Sequence, residues 1–143
     1  MADTLRELLN EYETKKHATK NGAEMHKKMR AVNMLTGSGD LENIIKPHEE
    51  LTPFFAPNAQ TEVPIAAIIN GKFVSRRIDR MVIDDKNKII HILDYKTDVD
   101  KTKYRSSYIA QVREYVSIIR KIYPKYKVNG YILWLHDWTL EKL

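Results

Sequence analysis

The sequence predicts an α/β fold, and three observations carry that reading. Two apolar, β-branched runs, Met81-Val82-Ile83 and Ile89-Ile90-His91-Ile92-Leu93, flank the polar stretch 84–88, as two antiparallel strands joined by a short loop would. A second turn signal, Asn70-Gly71, separates the β-like stretch Glu62–Ile69 from a return strand that begins Lys72-Phe73-Val74 and runs on through Asp79. A helical pattern from Tyr104 to Tyr123, stopped by Pro124, then precedes a mostly apolar strand from Val128 to His136.

A chain of 143 residues is most simply one domain, 1–143, with room for a real core. Its 43% hydrophobic content and eight tyrosines argue for a folded protein. The net charge of +5, from 24 Lys and Arg against 19 Asp and Glu, suits a polyanionic partner without requiring one. With no cysteine, disulfides, thiolate zinc sites, iron–sulfur clusters and thiol catalysis are excluded. Charges occur within the first seven residues, and no apolar run has signal-peptide or membrane-spanning length. The cytoplasm, or nucleoid, is the expected location, with no membrane partner.

Taken in order, Thr4 with Glu7 and Leu8-Leu9 reads as a capping box opening an amphipathic N-terminal helix over 1–20. Its basic cluster, Lys15-Lys16-His17 and Lys20, is a solvated face or a phosphate contact. Asn21-Gly22 breaks this helix, and a second starts near Ala23 and carries Met25, His26 and Met29. His26, one turn after Gly22, reads either as a packed histidine or as a metal ligand. Gly37-Ser38-Gly39 ends the helix, Asp40–Asn43 starts a short helical turn, and Pro47 opens a segment whose Phe54 and Phe55 cover the sheet. Residues 57–61 are a loop. Pro64 makes the first strand an edge strand or irregular at that point. Glu62 is a strand-end surface residue or a third acid near a site.

After the loop 98–103, the long helix shows Ile109, Val112, Val116, Ile119 and Tyr123 at core spacing. Beside them lie Tyr104, Tyr108, Gln111 and Tyr115, the last two one turn apart. Gln111 and Tyr115 are core-edge packing, or they hydrogen-bond a phosphate or stack on a base. Trp134 is the expected core anchor of the last strand. No internal repeat or low-complexity segment interrupts the chain.

Chemistry concentrates at the 78–97 hairpin. A fold-back between Lys86 and Asn87 pairs residues whose numbers sum to 173, which sets Asp79 beside Asp94. Alternation puts Asp94 and Lys96 on one face and Tyr95 on the other. Two carboxylates that close repel unless a proton or cation sits between them. Mg²⁺ is commonly held by one or two carboxylates plus substrate phosphate oxygens. An ordinary strand-end ion network with Lys96, Arg77 or Arg80 is the alternative.

The ordered motifs Gly22-Ala-Glu-Met-His26, Arg76-Arg-Ile-Asp79-Arg80, Asp94-Tyr95-Lys96-Thr97 and Gln111-Val-Arg-Glu-Tyr115 resemble those of the PD-(D/E)xK nuclease superfamily. The match is nearest the RecB/AddA-type nuclease domain of bacterial recombination helicase–nucleases, and it extends over 22–134. The resemblance implies a restriction-endonuclease-like fold, a central mixed β-sheet flanked by α-helices. It implies a metal-dependent DNA nuclease, of exonuclease type, in repair or recombination. His26, Asp79, Asp94 and the Tyr95 backbone carbonyl would ligate Mg²⁺ or Mn²⁺. Asp79, Asp94 and Lys96 would be catalytic, with Lys96 positioning water. Glu62, Gln111, Tyr115, Arg76 and Arg80 would support the site or contact DNA. Arg76 departs from the family, which usually has glycine there. No Walker-type glycine loop occurs, so a helicase motor would come from a separate subunit. A catalytically weak nuclease-like module that binds nucleic acid or a helicase partner is the alternative.

Overall fold

The structure, a computed structural model, describes Met25, Met29 and residues 40–143. The expected N-terminal helix and His26 lie outside the described residues. The elements are α1 (Asp40–Ile45), a 3₁₀ segment (Glu49–Phe55), β1 (Gln60–Ile69), β2 (Lys72–Asp84), β3 (Ile89–Lys96), α2 (Arg105–Ile122), β4 (Lys127–Trp134) and β5 (Thr139–Lys142). The strands form one sheet in the order β1-β2-β3-β4-β5. Every neighbouring pair is antiparallel except β3 and β4, which run parallel because α2 carries the chain back across the sheet. The fold is α/β with a five-stranded mixed sheet.

Local chemistry sets the hairpins. Asn70 and Gly71 have φ of 51° and 76°, the paired positive values of a type I′ turn, and Ile69 faces Lys72 across it. In the next hairpin, Asn87 donates to Asp84 through its backbone N–H (3.1 Å) and its side-chain amide (2.8 Å), closing the loop 85–88. Arg80 faces Leu93, Met81 faces Ile92 and Val82 faces His91, so the expected register holds as far as the ladder runs, which stops one pair short of the expected Asp79–Asp94 pairing. Pro64 lies on β1, an edge strand.

The strands are less regular than their pattern implies. Ile78 and Met81 share one core cluster with Tyr115, Ile118 and Ile119, although even and odd positions of a regular strand cannot share a face. The alternation therefore breaks at 79–80. Across from it, Glu62 has a φ of 52°, and the β1–β2 ladder passes from Thr61–Arg80 to Val63–Ile78 with no pair at Glu62 and Asp79. The acid Asp79 thus sits at a kink shared by two strands.

Both faces of the sheet are covered. On one, α2 buries Val112, Tyr115, Ile118 and Ile119. On the other, the 3₁₀ segment lays Leu51, Phe54 and Phe55 over Val82, Leu93, Tyr95 and Leu133, together with Met29 and Ile45. The Phe54 ring meets Tyr131 edge-on at 5.1 Å. The buried stripe of α2 is rotated from the expected one. Ile109, Val116 and Tyr123 are only part-buried, while Tyr115 and Ile118 turn fully inward. The polar groups at the sheet end give Gln111 and Tyr115 partners on that side. Gly130 lets α2 seat on β4, since a Cβ there would lie 2.7 Å from Val112 Cγ1 and 2.9 Å from Val116 Cγ2.

The last strand is shorter than expected. β4 ends at Trp134, and His136 belongs to a turn in which Asp137 accepts the Thr139 N–H at 3.1 Å and Trp138 has a φ of 60°. The chain then returns as β5, an edge strand that no pattern in the sequence announces. Among the described residues, no helix is long and apolar enough to cross a membrane.

Candidate active site

The site forms where the β2–β3 ladder runs out. Arg80–Leu93 is its last pair, so the N–H of Tyr95 turns from β2 backbone to side chain and donates to Asp79 Oδ2 at 2.8 Å. The N–H and C=O of one strand residue point to the same edge, so the Tyr95 carbonyl faces this gap as well. Next along β3, Asp94 is 4% exposed, and Lys96 Nζ lies 3.0 Å from its Oδ2. That contact is an ion pair without hydrogen-bond alignment, and Asp94 Oδ2 has no hydrogen-bond donor. Lys96 Nζ donates instead to Gln111 Oε1 on α2, at 3.0 Å, and sits 4.3 Å from the centre of the Tyr108 ring. The Tyr108 hydroxyl donates to Asp98 Oδ2 at 2.7 Å, which fixes that ring.

The electrostatics follow from burial and like charge. Asp94 is pushed up to about 7, first by burial and then by the neighbouring Asp79 carboxylate, with Lys96 working against both. Near neutral pH the site is therefore poised between a protonated and an ionised acid. Burial, Asp94 and Asp79 also push the Tyr115 phenol up, so it stays a neutral hydrogen-bonding group.

The structure brings Asp79, Asp94, Lys96, Gln111 and Tyr115 together at one sheet end. It holds three other candidates differently. Glu62 lies at the rim, with Oε2 3.8 Å from Arg77 Nη1. Arg76 is exposed, and its Nε–H donates to Glu114 Oε1 on α2 at 2.7 Å, tying β2 to the helix one residue before Tyr115. Arg80 is fully buried and points to the opposite face of the sheet. Sequence reasoning missed Asp98 and Glu114 as partners. It also missed the Tyr95 hydroxyl, although the register sets Arg80 across from Leu93 and so near Tyr95 on one face.

Among the described residues, no three His, Asp or Glu side chains converge on a point. Asp94 and Asp79 are close enough to feel each other's charge, and the buried Oδ2 of Asp94 has no hydrogen-bond partner. Two neighbouring carboxylates with one ammonium between them leave an excess of negative charge, and oxygen donors suit a hard divalent cation. The chemistry of these oxygen donors is compatible with such an ion. No family model matches the chain, and no curated protein matches it in sequence.

Proposed function

We propose that this chain is a metal-dependent nuclease of the restriction-endonuclease-like, RecB/AddA-type class, hydrolysing phosphodiester bonds in DNA at the end of β3. One observation carries the reading: two adjacent acids, a lysine 3.0 Å from one of them, and a buried carboxylate oxygen with no donor, all at one strand end. Asp79, Asp94 and the Tyr95 carbonyl would hold Mg²⁺ or Mn²⁺, which when bound supplies Lewis-acid stabilisation of phosphate charge. Lys96, steered by Gln111 and the Tyr108 ring, orients water toward the phosphorus and offsets charge there. Tyr115, kept neutral, hydrogen-bonds a phosphate oxygen or the Gln111 amide. Arg76 extends from the rim toward the path of the backbone. A separate helicase subunit would deliver DNA ends, and the bacterial nucleoid is the fitting location.

The test is cleavage of end-labelled linear DNA and of closed circular DNA in Mg²⁺, Mn²⁺ or EDTA, beside Lys96→Ala. Loss of linear DNA alone, dependent on metal and reduced roughly 10²–10³-fold in the variant, is the expected result for an exonuclease. Cutting of the circle would make it an endonuclease. A second reading has its own support, because Lys96 is engaged by both Asp94 and Gln111. Salt-sensitive DNA binding with no cleavage in any metal would select that reading, a nuclease-like binding module.

A further inference from the structure

We propose that Arg80 and the Tyr95 phenol are a positioning pair that holds β3 in the rotation the carboxylate site requires. The inference rests on the nuclease reading above for its kinetic consequence, though not for its geometry. Arg80 is 0% exposed, and its guanidinium donates to several distant parts of the chain. Its Nε–H donates to Tyr95 Oη at 2.7 Å, Nη1 to the Phe54 carbonyl at 3.1 Å and Nη2 to the Met29 carbonyl at 2.9 Å. The Phe55 ring lies 4.3 Å from the guanidinium carbon.

A buried arginine is costly unless its donors are matched, and a planar fork with three acceptors cannot turn without losing one. The guanidinium is thus a fixed post rather than a mobile surface cation. It fixes the tip of the Tyr95 ring. The other end of the same residue, its N–H, is fixed on Asp79 Oδ2 at 2.8 Å. Tyr95 lies between Asp94 and Lys96, so a strand pinned at ring tip and amide cannot rotate about its axis. Such rotation would swing Asp94 from Asp79 and Lys96 from Gln111 together. The Tyr95 ring packs with Phe54 and Phe55, and the Arg80 guanidinium lies against the Phe55 ring, on the face covered by the 3₁₀ segment. Partners one shell behind a ligand set commonly have this orienting role.

The experiment uses the full chain with Tyr95→Phe and Arg80→Lys, read by steady-state cleavage and by amide hydrogen exchange of the metal-free protein. In Tyr95→Phe, kcat is expected to fall roughly 10–100-fold with KM for DNA unchanged. The amide at position 95 should exchange faster, while those of Ile92 and Leu133 keep their protection. Arg80→Lys, whose ammonium cannot span three acceptors, should show the same pattern; it serves alone if Tyr95→Phe does not fold. An unchanged kcat, or a loss matched by faster exchange across the whole sheet, overturns the proposal. If the wild-type chain cleaves nothing, the nuclease reading fails. Local exchange at position 95 then decides positioning by itself: faster exchange supports it, and unchanged exchange overturns it.

Discussion

Asp94→Asn is expected to abolish metal-dependent cleavage and, in EDTA at pH 8, to make the protein more stable. The two effects share a cause. The buried Asp94 carboxyl has its pKa raised from 3.8 to about 7, so the folded chain holds this proton more tightly than the unfolded one. Between those two values the unfolded state binds fewer protons, and stability falls as pH rises. The penalty is absent near pH 4, grows through pH 7 and is complete above it, at on the order of a few kcal/mol. Asparagine keeps the shape and removes the charge. Melting curves in EDTA at pH 5 and pH 8 should therefore show the wild-type Tm dropping and the Asp94→Asn Tm dropping less. Added Mg²⁺ or Mn²⁺ should recover wild-type Tm at pH 8 and leave the variant unmoved. A wild-type Tm that does not fall between pH 5 and 8 would mean that Asp94 carries no uncompensated charge.

Trp134→Ala should cost the most folding stability of any single truncation near the site. Trp134 is 1% exposed, packs with Val112 and Ile132, and donates its indole N–H to Glu141 Oε2 at 3.0 Å. Removing so large a buried ring costs roughly 3–5 kcal/mol, a Tm loss on the order of 10–20 °C. The loss reaches the site because the Tyr108 ring leans on Trp134, with centroids 6.1 Å apart, and Lys96 sits over Tyr108. Cleavage measured well below the lowered Tm should therefore be weaker than that of wild type. Trp134→Phe, which keeps most of the packing but not the Glu141 bond, should recover the greater part of both. Equal stability of Trp134→Ala and wild type in urea would contradict this.

Features written in short local patterns are legible in the sequence. Asn70-Gly71 reaches positive φ at both positions at little cost, and its I′ turn follows from that pair alone. The register of β2 on β3 follows from the loop and two apolar runs, because a slip by one residue would carry Ile90 and Ile92 from the α2 face to the face under the 3₁₀ segment. Pro124 and the helical pattern before it mark the span of α2 to within a residue at each end. The same logic places Asp79, Asp94 and Lys96 together. What escapes depends on partners distant in sequence. β5 is four residues, T-L-E-K, with no apolar alternation, and it exists because β4 offers an edge. The kink at Asp79 and Glu62 breaks the alternation on which strand reading relies. Arg80 reads as a surface cation because nothing beside it in the sequence announces the Phe54 and Met29 carbonyls.

The parallel join between β3 and β4 also fixes the order in which this site can assemble during folding. The β2–β3 hairpin closes through a four-residue loop, whereas Ile89 must wait for Lys127, and Lys96 for Trp134, across the whole of α2. Closing the longer separation costs more chain entropy, so the hairpin can form first. Asp79 and Asp94 are then neighbours before Gln111 and the Tyr108 ring arrive to hold Lys96 against them. The nascent hairpin carries the repulsion without its full compensation. Refolding in EDTA should consequently slow as pH rises above the ordinary carboxylate range, as far as the rate-limiting step buries Asp94, and a stopped-flow series from pH 4 to 8 would read it directly. In Asp94→Asn the same series should be flat.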